Sequence, residues 1–298
     1  MPTNASIQLR FDRFLRPGGG FGAGLSLYSG NPPANGIGFD VEYDLLERVV
    51  VFHPTRALQP NTLYTVDLVP GTNPNAGFWA FDRAPLSEGA VPLSFSFTTG
   101  SGPAPAPPPP AASVDTCETM TQGPLGSCAN CHTTRDEAPS NPPLNYPPMG
   151  LDLSTSRGLF YTAVSHVAHQ TETGNSANDD GLQTPSRFGV QMNIVDPGNP
   201  ATSYLMYKLL AKPENYRLAP SEAECATSYH PPVSDNGCSP PDADELTRLR
   251  EWFVRGEAMP KNGFDAKTGK STLASTNHAN LVRIANWIAS GADCPVPR

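Results

Sequence analysis

Cys128-Ala129-Asn130-Cys131-His132 is the run of residues with the most specific chemical potential in this chain. Two thiols three positions apart, followed at once by an imidazole, suit covalent attachment of a haem. Each thiol adds to a vinyl group to make a thioether, and the tight turn brings the histidine under the iron as proximal ligand. Two other uses of such residues are open. A zinc site needs a second pair of ligands at knuckle spacing, which His166 and His169 could supply. A thioredoxin-like pair needs a strand–helix–strand setting, and the surrounding sequence has none.

An iron that only passes electrons wants a second protein ligand. Methionine sulfur is soft, favours the ferrous state and raises the potential. The candidates are Met149, Met192, Met206 and Met259, with His166, His169, His230 and His278 as nitrogen alternatives. Met206 lies on an apolar helical face and reads as core. Met259 is followed by Pro260, whose ring stiffens the loop that would present the sulfur. His166 and His169 fall on one side of an expected helix and read as a solvated or hydrogen-bonded pair. His230 and His278 read as surface, and His53 as a structural residue at a strand end. Trp252 and Trp287 sit on apolar stripes, where core packing and packing on a porphyrin are equally good readings.

The whole chain must be compatible with that chemistry. It has 298 residues, 38% of them hydrophobic, and a net charge of −8. An acidic chain cannot neutralise a run of phosphates, so nucleic acid is not an expected partner. No stretch approaches the roughly 18–20 apolar residues of a membrane span. Proline accounts for 34 residues, which disfavours a long helical bundle. Covalent haem attachment requires export, yet Met1-Pro2-Thr3-Asn4 opens no signal peptide. The sequence is therefore expected to be a trimmed or mature form, with any membrane anchor upstream. Four cysteines remain beside the motif, namely Cys117, Cys225, Cys238 and Cys294. In an oxidising compartment they can form two disulfides in three connectivities. Cys117 with Cys294 and Cys225 with Cys238 is the favoured pairing, because the first pair brackets nearly all of the second half and the second a short loop.

Residues 101–113, SGPAPAPPPPAAS, mark the clearest boundary, since successive prolines favour an extended polyproline spacer. Before it the pattern is all β. Ile7, Leu9 and Phe11 alternate with polar residues, as do Tyr64, Val66 and Leu68, and again Leu93, Phe95 and Phe97. Leu25 and Leu27, Phe39 and Val41, and the run Val49-Val50-Val51-Phe52 complete six expected strands, the pattern of a β-sandwich. Phe78, Trp79 and Phe81 sit in an irregular segment, 71–90, and are expected to pack back on the sandwich. After the spacer, helices are expected over 154–169 with Ser154 as N-cap, 200–212, 242–255 capped by Asp242, and 276–290 ended by Gly291.

Leu58-Gln59-Pro60-Asn61-Thr62-Leu63-Tyr64-Thr65-Val66, with the closing Phe95-Ser96-Phe97-Thr98-Thr99-Gly100, resembles the bacterial Ig-like domain of exported and surface proteins over about residues 3–100. The resemblance implies a sandwich with a corner hydrogen bond from Tyr64. Beyond the spacer, four landmarks come after the haem motif in order. They are Met149-Gly150-Leu151-Asp152-Leu153, Pro197-Gly198-Asn199-Pro200 with Ser203 and Leu205, Met259-Pro260, and Trp287-Ile288-Ala289-Ser290-Gly291-Ala292. Residues 114–298 thereby resemble the extended mono-haem class I cytochrome c domains of exported myxobacterial and planctomycete proteins. That resemblance implies one covalent haem c on Cys128 and Cys131, with His132 and Met259 as iron ligands and Trp287 on the haem edge. It places no ligand at Met149. In small class I cytochromes a helix precedes the motif, whereas 121–126 here is a poor helix former.

The expected organisation is thus two domains. Residues 1–100 form an all-β Ig-like sandwich, 101–113 a proline-rich linker, and 114–298 a mainly α, loop-rich cytochrome c domain. The expected function is single-electron transfer to a redox partner protein in the periplasm, at the cell surface or after secretion, not enzymatic catalysis. Two alternatives stand beside it: a haem enzyme or gas sensor with an open distal position, and a surface or adhesive protein that happens to carry a haem domain.

Overall fold

The computed structural model describes residues 1–16, 20–30, 36–70, 77–82, 84–87, 92–105, 113–133, 150–168, 192–216, 241–254, 258–260, 263–265, 270–272 and 276–295. The chain divides into two compact units, Met1–Pro109 and Pro110–Arg298. Within each, the elements arise from the local sequence.

Among the described residues of the first unit, six strands form two antiparallel sheets. Strands β1 (Ile7–Arg10), β4 (Val49–Pro54) and β3 (Phe39–Asp44) form one, in that order; β2 (Leu25–Ser29), β5 (Leu63–Leu68) and β6 (Ser94–Thr98) form the other. Each coincides with one of the six alternating or β-branched runs. β4 is central, and Val49 through Phe52 are all buried, whereas β1 buries Ile7 alone and β3 buries Tyr43 and Asp44. Phe78 is buried among Phe11, Phe21 and Phe52, with ring centroids 5.0 to 6.1 Å away, and Phe81 is buried too. The aromatic cluster packs inward, as expected. Tyr64, also buried, accepts a hydrogen bond on its hydroxyl from the Gln59 backbone N–H at 2.9 Å.

The start of the expected spacer is not free chain. Thr3 N–H donates to the Gly102 carbonyl at 3.1 Å, and the Asn4 side chain exchanges two hydrogen bonds with the backbone of Ala104. Residues 101–104 thus extend the first unit along its own N-terminus. Residues 106–112 of the spacer lie outside the described residues.

The second unit contains five α-helices among its described residues: α1 (Cys117–Gln122), α2 (Ser156–Thr162), α3 (Tyr204–Leu210), α4 (Ala243–Trp252) and α5 (His278–Ala289). A short hairpin pairs β7 (Gly263–Asp265) with β8 (Lys270–Thr272). The N-caps do what their side chains allow: Asp242 accepts from Glu245 N–H, and Asn277 from Asn280 N–H. Gly291, at φ +105°, turns the chain out of α5. α3 packs on α5, and Met206, Tyr207, Leu210, Leu281, Ile284, Trp287 and Ile288 are fully buried. Met206 is core, as expected, and so is Met192.

Two expectations fail here. The helix over 154–169 runs only from Ser156 to Thr162, with Thr155 rather than Ser154 capping it. Beyond it Ser165 takes φ +60°, and Val164 and Val167 form β-bridges with Val195 and Asn193. Long-range pairing of β-branched residues overrides the helical pattern. His166 is exposed on this extended segment, not on a helix face. His278 is buried rather than on the surface.

A disulfide joins Cys117 to Cys294, with Cα atoms 4.8 Å apart. The Asp293 carbonyl, next to Cys294, accepts from Cys117 N–H at 2.8 Å and from the Trp287 indole N–H at 3.3 Å. The ends of the second unit are therefore fastened to one another and to the apolar core.

Candidate functional site

The Cys128–His132 segment is built on buried supports. Leu125 and Met120 are fully buried, and Leu125 N–H donates to the Met120 carbonyl at 2.9 Å. A 3-10 turn, Gly126–Asn130, comes next. The Cys128 carbonyl then accepts two N–H groups, that of Cys131 at 3.1 Å and that of His132 at 2.8 Å. One carbonyl thus gathers both cysteines and the histidine into a single tight turn. Cys128 is half-buried and Cys131 exposed, and both are free thiols. His132 is half-buried. Burial pushes the Cys128 thiol up to about 11, which keeps it protonated at neutral pH.

The turn is tied to the segment that enters α2. The His132 carbonyl accepts from Leu153 N–H at 2.9 Å. Asp152, just before, is buried, and its carboxylate accepts from the Ser154 N–H at 2.9 Å and hydroxyl at 2.6 Å. Gly158 of α2 lies against that carboxylate, where a Cβ would come within 2.5 Å of Asp152 Cγ. α2 therefore braces the backbone that holds His132.

Met259 belongs to a second cluster, between α3 and the start of α5. Its N–H donates to the Lys208 carbonyl at 3.0 Å, and its carbonyl accepts from Asn215 Nδ2 at 2.9 Å. Asn215, fully buried, also donates to the Leu209 carbonyl at 2.7 Å and accepts from Thr276 N–H at 3.0 Å. The Lys212 ammonium, buried as well, donates to the Pro260 carbonyl at 2.6 Å. That burial lowers its affinity for a proton. The Met259 side chain stays half-exposed while its backbone is gripped on both sides. Asn215 and Lys212 have no local signal in the sequence, since both lie in a short polar stretch after an apolar helix and only long-range contacts give them a role.

Trp287 sits in the core with its indole N–H on the Asp293 carbonyl, while Trp252 is half-buried on α4. Met149, His169, His230, Cys225 and Cys238 lie outside the described residues, as does the disulfide expected between the last two. Among the described residues no three His, Cys, Asp or Glu side chains converge as a metal centre. Two thiols and an imidazole on one turn are chemically a set that could hold one haem. A thioether sulfur with a fixed backbone is a set that could supply a further iron ligand.

No family model and no curated protein matches the chain. Among solved structures, the N-terminal part of the bacterial S-layer protein SbsC is similar over 34% of this chain and 21% of that one, with 12% identity and a TM-score of 0.26. The chain spans about a fifth of that structure's length, and similarity at this level defines no shared fold. No helix among the described residues is long and apolar enough to cross a membrane.

Proposed function

We propose that residues 114–298 form a c-type cytochrome domain that passes single electrons outside the cytoplasm, and that the first unit is an Ig-like sandwich. The carrying observation is the contrast between cysteine pairs. Cys117 and Cys294 are joined in a disulfide, whereas Cys128 and Cys131, three apart on one turn, are free thiols. A disulfide of this kind persists in an oxidising compartment. Two neighbouring thiols left out of that pairing are available for another reaction, and thioether formation uses both. When bound, haem iron cycles between ferric and ferrous and stores one electron.

The chain's own residues would then divide the work. Cys128 and Cys131 anchor the group, His132 binds the iron through its ring, and the Cys128 carbonyl holds the turn that orients all three. Met259 supplies sulfur as the second iron ligand. The buried Leu125 and Met120 keep the turn from moving with solvent. The Gln59–Tyr64 corner bond and the two antiparallel sheets support the Ig-like reading of the first unit. The reading adds a redox partner protein and one haem c, with a periplasmic, cell-surface or secreted location.

Absorption spectra of protein matured in a periplasm competent for cytochrome c assembly test the proposal. The expected result is a covalent haem with narrow reduced bands and a weak far-red ferric band that Met259→Ala removes. Protein that emerges without covalent haem overturns it.

A further inference from the structure

We infer that Asn215 is the positioning residue for Met259: its buried amide fixes the methionine segment in place for ligation. The inference rests on the His132/Met259 reading and adds a residue that no motif points to.

A thioether sulfur is a weak donor, and its occupancy of the iron depends on how little freedom the chain has when the bond opens. A backbone already fixed before ligation loses little entropy on binding. Residues 258–260 are not in a regular helix or strand, so the fixing must come from elsewhere. It comes from Asn215, which reaches three chain segments at once. Its Nδ2 donates to Leu209 O at 2.7 Å, at the end of α3, and to Met259 O at 2.9 Å. Its Oδ1 accepts from Thr276 N–H at 3.0 Å, two residues before α5. Both amide protons and the carbonyl are used, and the side chain is completely shielded from water.

An amide satisfied in this way cannot rotate without leaving buried donors and acceptors unpaired. Met259 N–H on Lys208 O and Lys212 Nζ on Pro260 O grip the same segment from α3 and the turn after it. Asn215 is the member that joins this grip to α5. Losing it leaves the Met259 carbonyl and the Thr276 N–H without their partner and frees the segment from the helix beneath it.

The test is imidazole binding to the ferric, haem-loaded full chain, followed by absorption. Imidazole competes with the methionine sulfur, so its affinity reports how firmly Met259 is held. Asn215→Leu keeps the branched shape of the side chain and removes all three hydrogen bonds. We expect it to bind imidazole about tenfold or more tightly than the unaltered chain, equivalent to about 1.4 kcal/mol, and to weaken the far-red sulfur band. Lys212→Met, which removes the Pro260 contact and leaves the Asn215 bonds in place, should move both readouts in the same direction by less, and it serves if Asn215→Leu does not fold. Arg283→Met, which loosens the Asp115 contact near the other end of the unit, should leave imidazole affinity unchanged. Unaltered affinity and band in both Asn215→Leu and Lys212→Met overturn the inference and leave the cytochrome reading standing. A covalent haem whose far-red band ignores Met259→Ala overturns the Met259 assignment and the inference with it, and leaves the covalent haem on Cys128 and Cys131 standing. Absence of haem from the unaltered protein overturns the cytochrome reading and the inference with it.

Discussion

Cys117 and Cys294 are joined by a disulfide that spans a sequence separation of 177 residues. In the chain-entropy account, closing so long a loop removes much of the freedom of the unfolded state, and the measured benefit of native disulfides is about 2–5 kcal/mol. Replacing both cysteines by serine should lower the unfolding free energy of the second unit by about that amount. The first unit, which contains none of these residues, should unfold as before. Denaturant unfolding of the full chain checks both halves of the expectation. Trp79→Phe leaves Trp252 and Trp287 as the only tryptophans, so emission in that background reports the second unit, and β-sheet circular dichroism reports the first.

Next to that disulfide, Arg283 on α5 grips the Asp115 carboxylate through two nitrogens, at 2.6 and 3.2 Å. The guanidinium holds the Asp115 carboxyl below its ordinary value. A carboxylate depressed in the folded state adds stability that is fully present above its unfolded value of 3.8 and is lost as pH falls through the lower folded value. Arg283 is partly exposed, so solvent screens the pair and the contribution at neutral pH should be about 0.5–1 kcal/mol. Arg283→Met should cost that much at pH 7. The cost should shrink as pH drops below 3.8 and vanish once Asp115 is protonated in both states. A difference that persists unchanged in strong acid would mean that the arginine acts by packing rather than by charge.

Haem-free protein, made without the maturation apparatus, should show unequal thiols. Cys131 is exposed, whereas burial pushes Cys128 up to about 11. The thiolate, not the thiol, displaces iodide from iodoacetamide, so Cys128 should label slowly at pH 8 and faster as pH approaches that value. Peptide mapping after timed alkylation measures it. Rapid labelling of Cys128 at pH 7 would show that the turn opens readily.

In the first unit, the Tyr64 hydroxyl satisfies the Gln59 N–H inside the sandwich corner. Tyr64→Phe keeps the ring and leaves a donor without its acceptor, a change that costs about 1–3 kcal/mol when the donor is shielded. Chemical denaturation followed by circular dichroism should register it as a lower midpoint with the same slope. No shift would place the Gln59 N–H in contact with water.

What the sequence made legible and what it hid divides along range. The six strands were readable because period-two alternation and β-branched runs are local properties. The start at Asp242 and the stop at Gly291 were readable because caps are chemistry within one turn. The haem motif was readable because its three functional side chains lie within five positions. The truncation of the 154–169 helix was hidden, since Val164 and Val167 pair with residues about thirty positions away. So was the burial of His278, which looked like an ordinary polar residue at a helix start. Asn215 was hidden for the same reason: its three partners, Leu209, Met259 and Thr276, are scattered over the sequence and meet only in the fold.

Gly158 sets two effects against each other. It lies inside α2, where alanine has the better helix propensity by about 1 kcal/mol. Propensity alone therefore predicts that Gly158→Ala stabilises the protein. Packing predicts the opposite. An added Cβ would lie 2.5 Å from Asp152 Cγ and 2.6 and 2.9 Å from its two oxygens. Those atoms belong to a carboxylate buried and hydrogen-bonded to Ser154, so they are not the free end of a mobile chain. Overpacking of this kind costs about 1–3 kcal/mol, more than propensity returns. The expected net change is a loss of stability. Because Leu153 N–H comes right after Asp152 and holds the His132 carbonyl, the displaced turn should also disturb the histidine's seat. Thermal unfolding gives the first effect. The second is read in the haem-loaded protein as a broadened reduced spectrum. A gain in stability with an unchanged spectrum would show that Asp152 moves aside freely and that α2 does not brace His132.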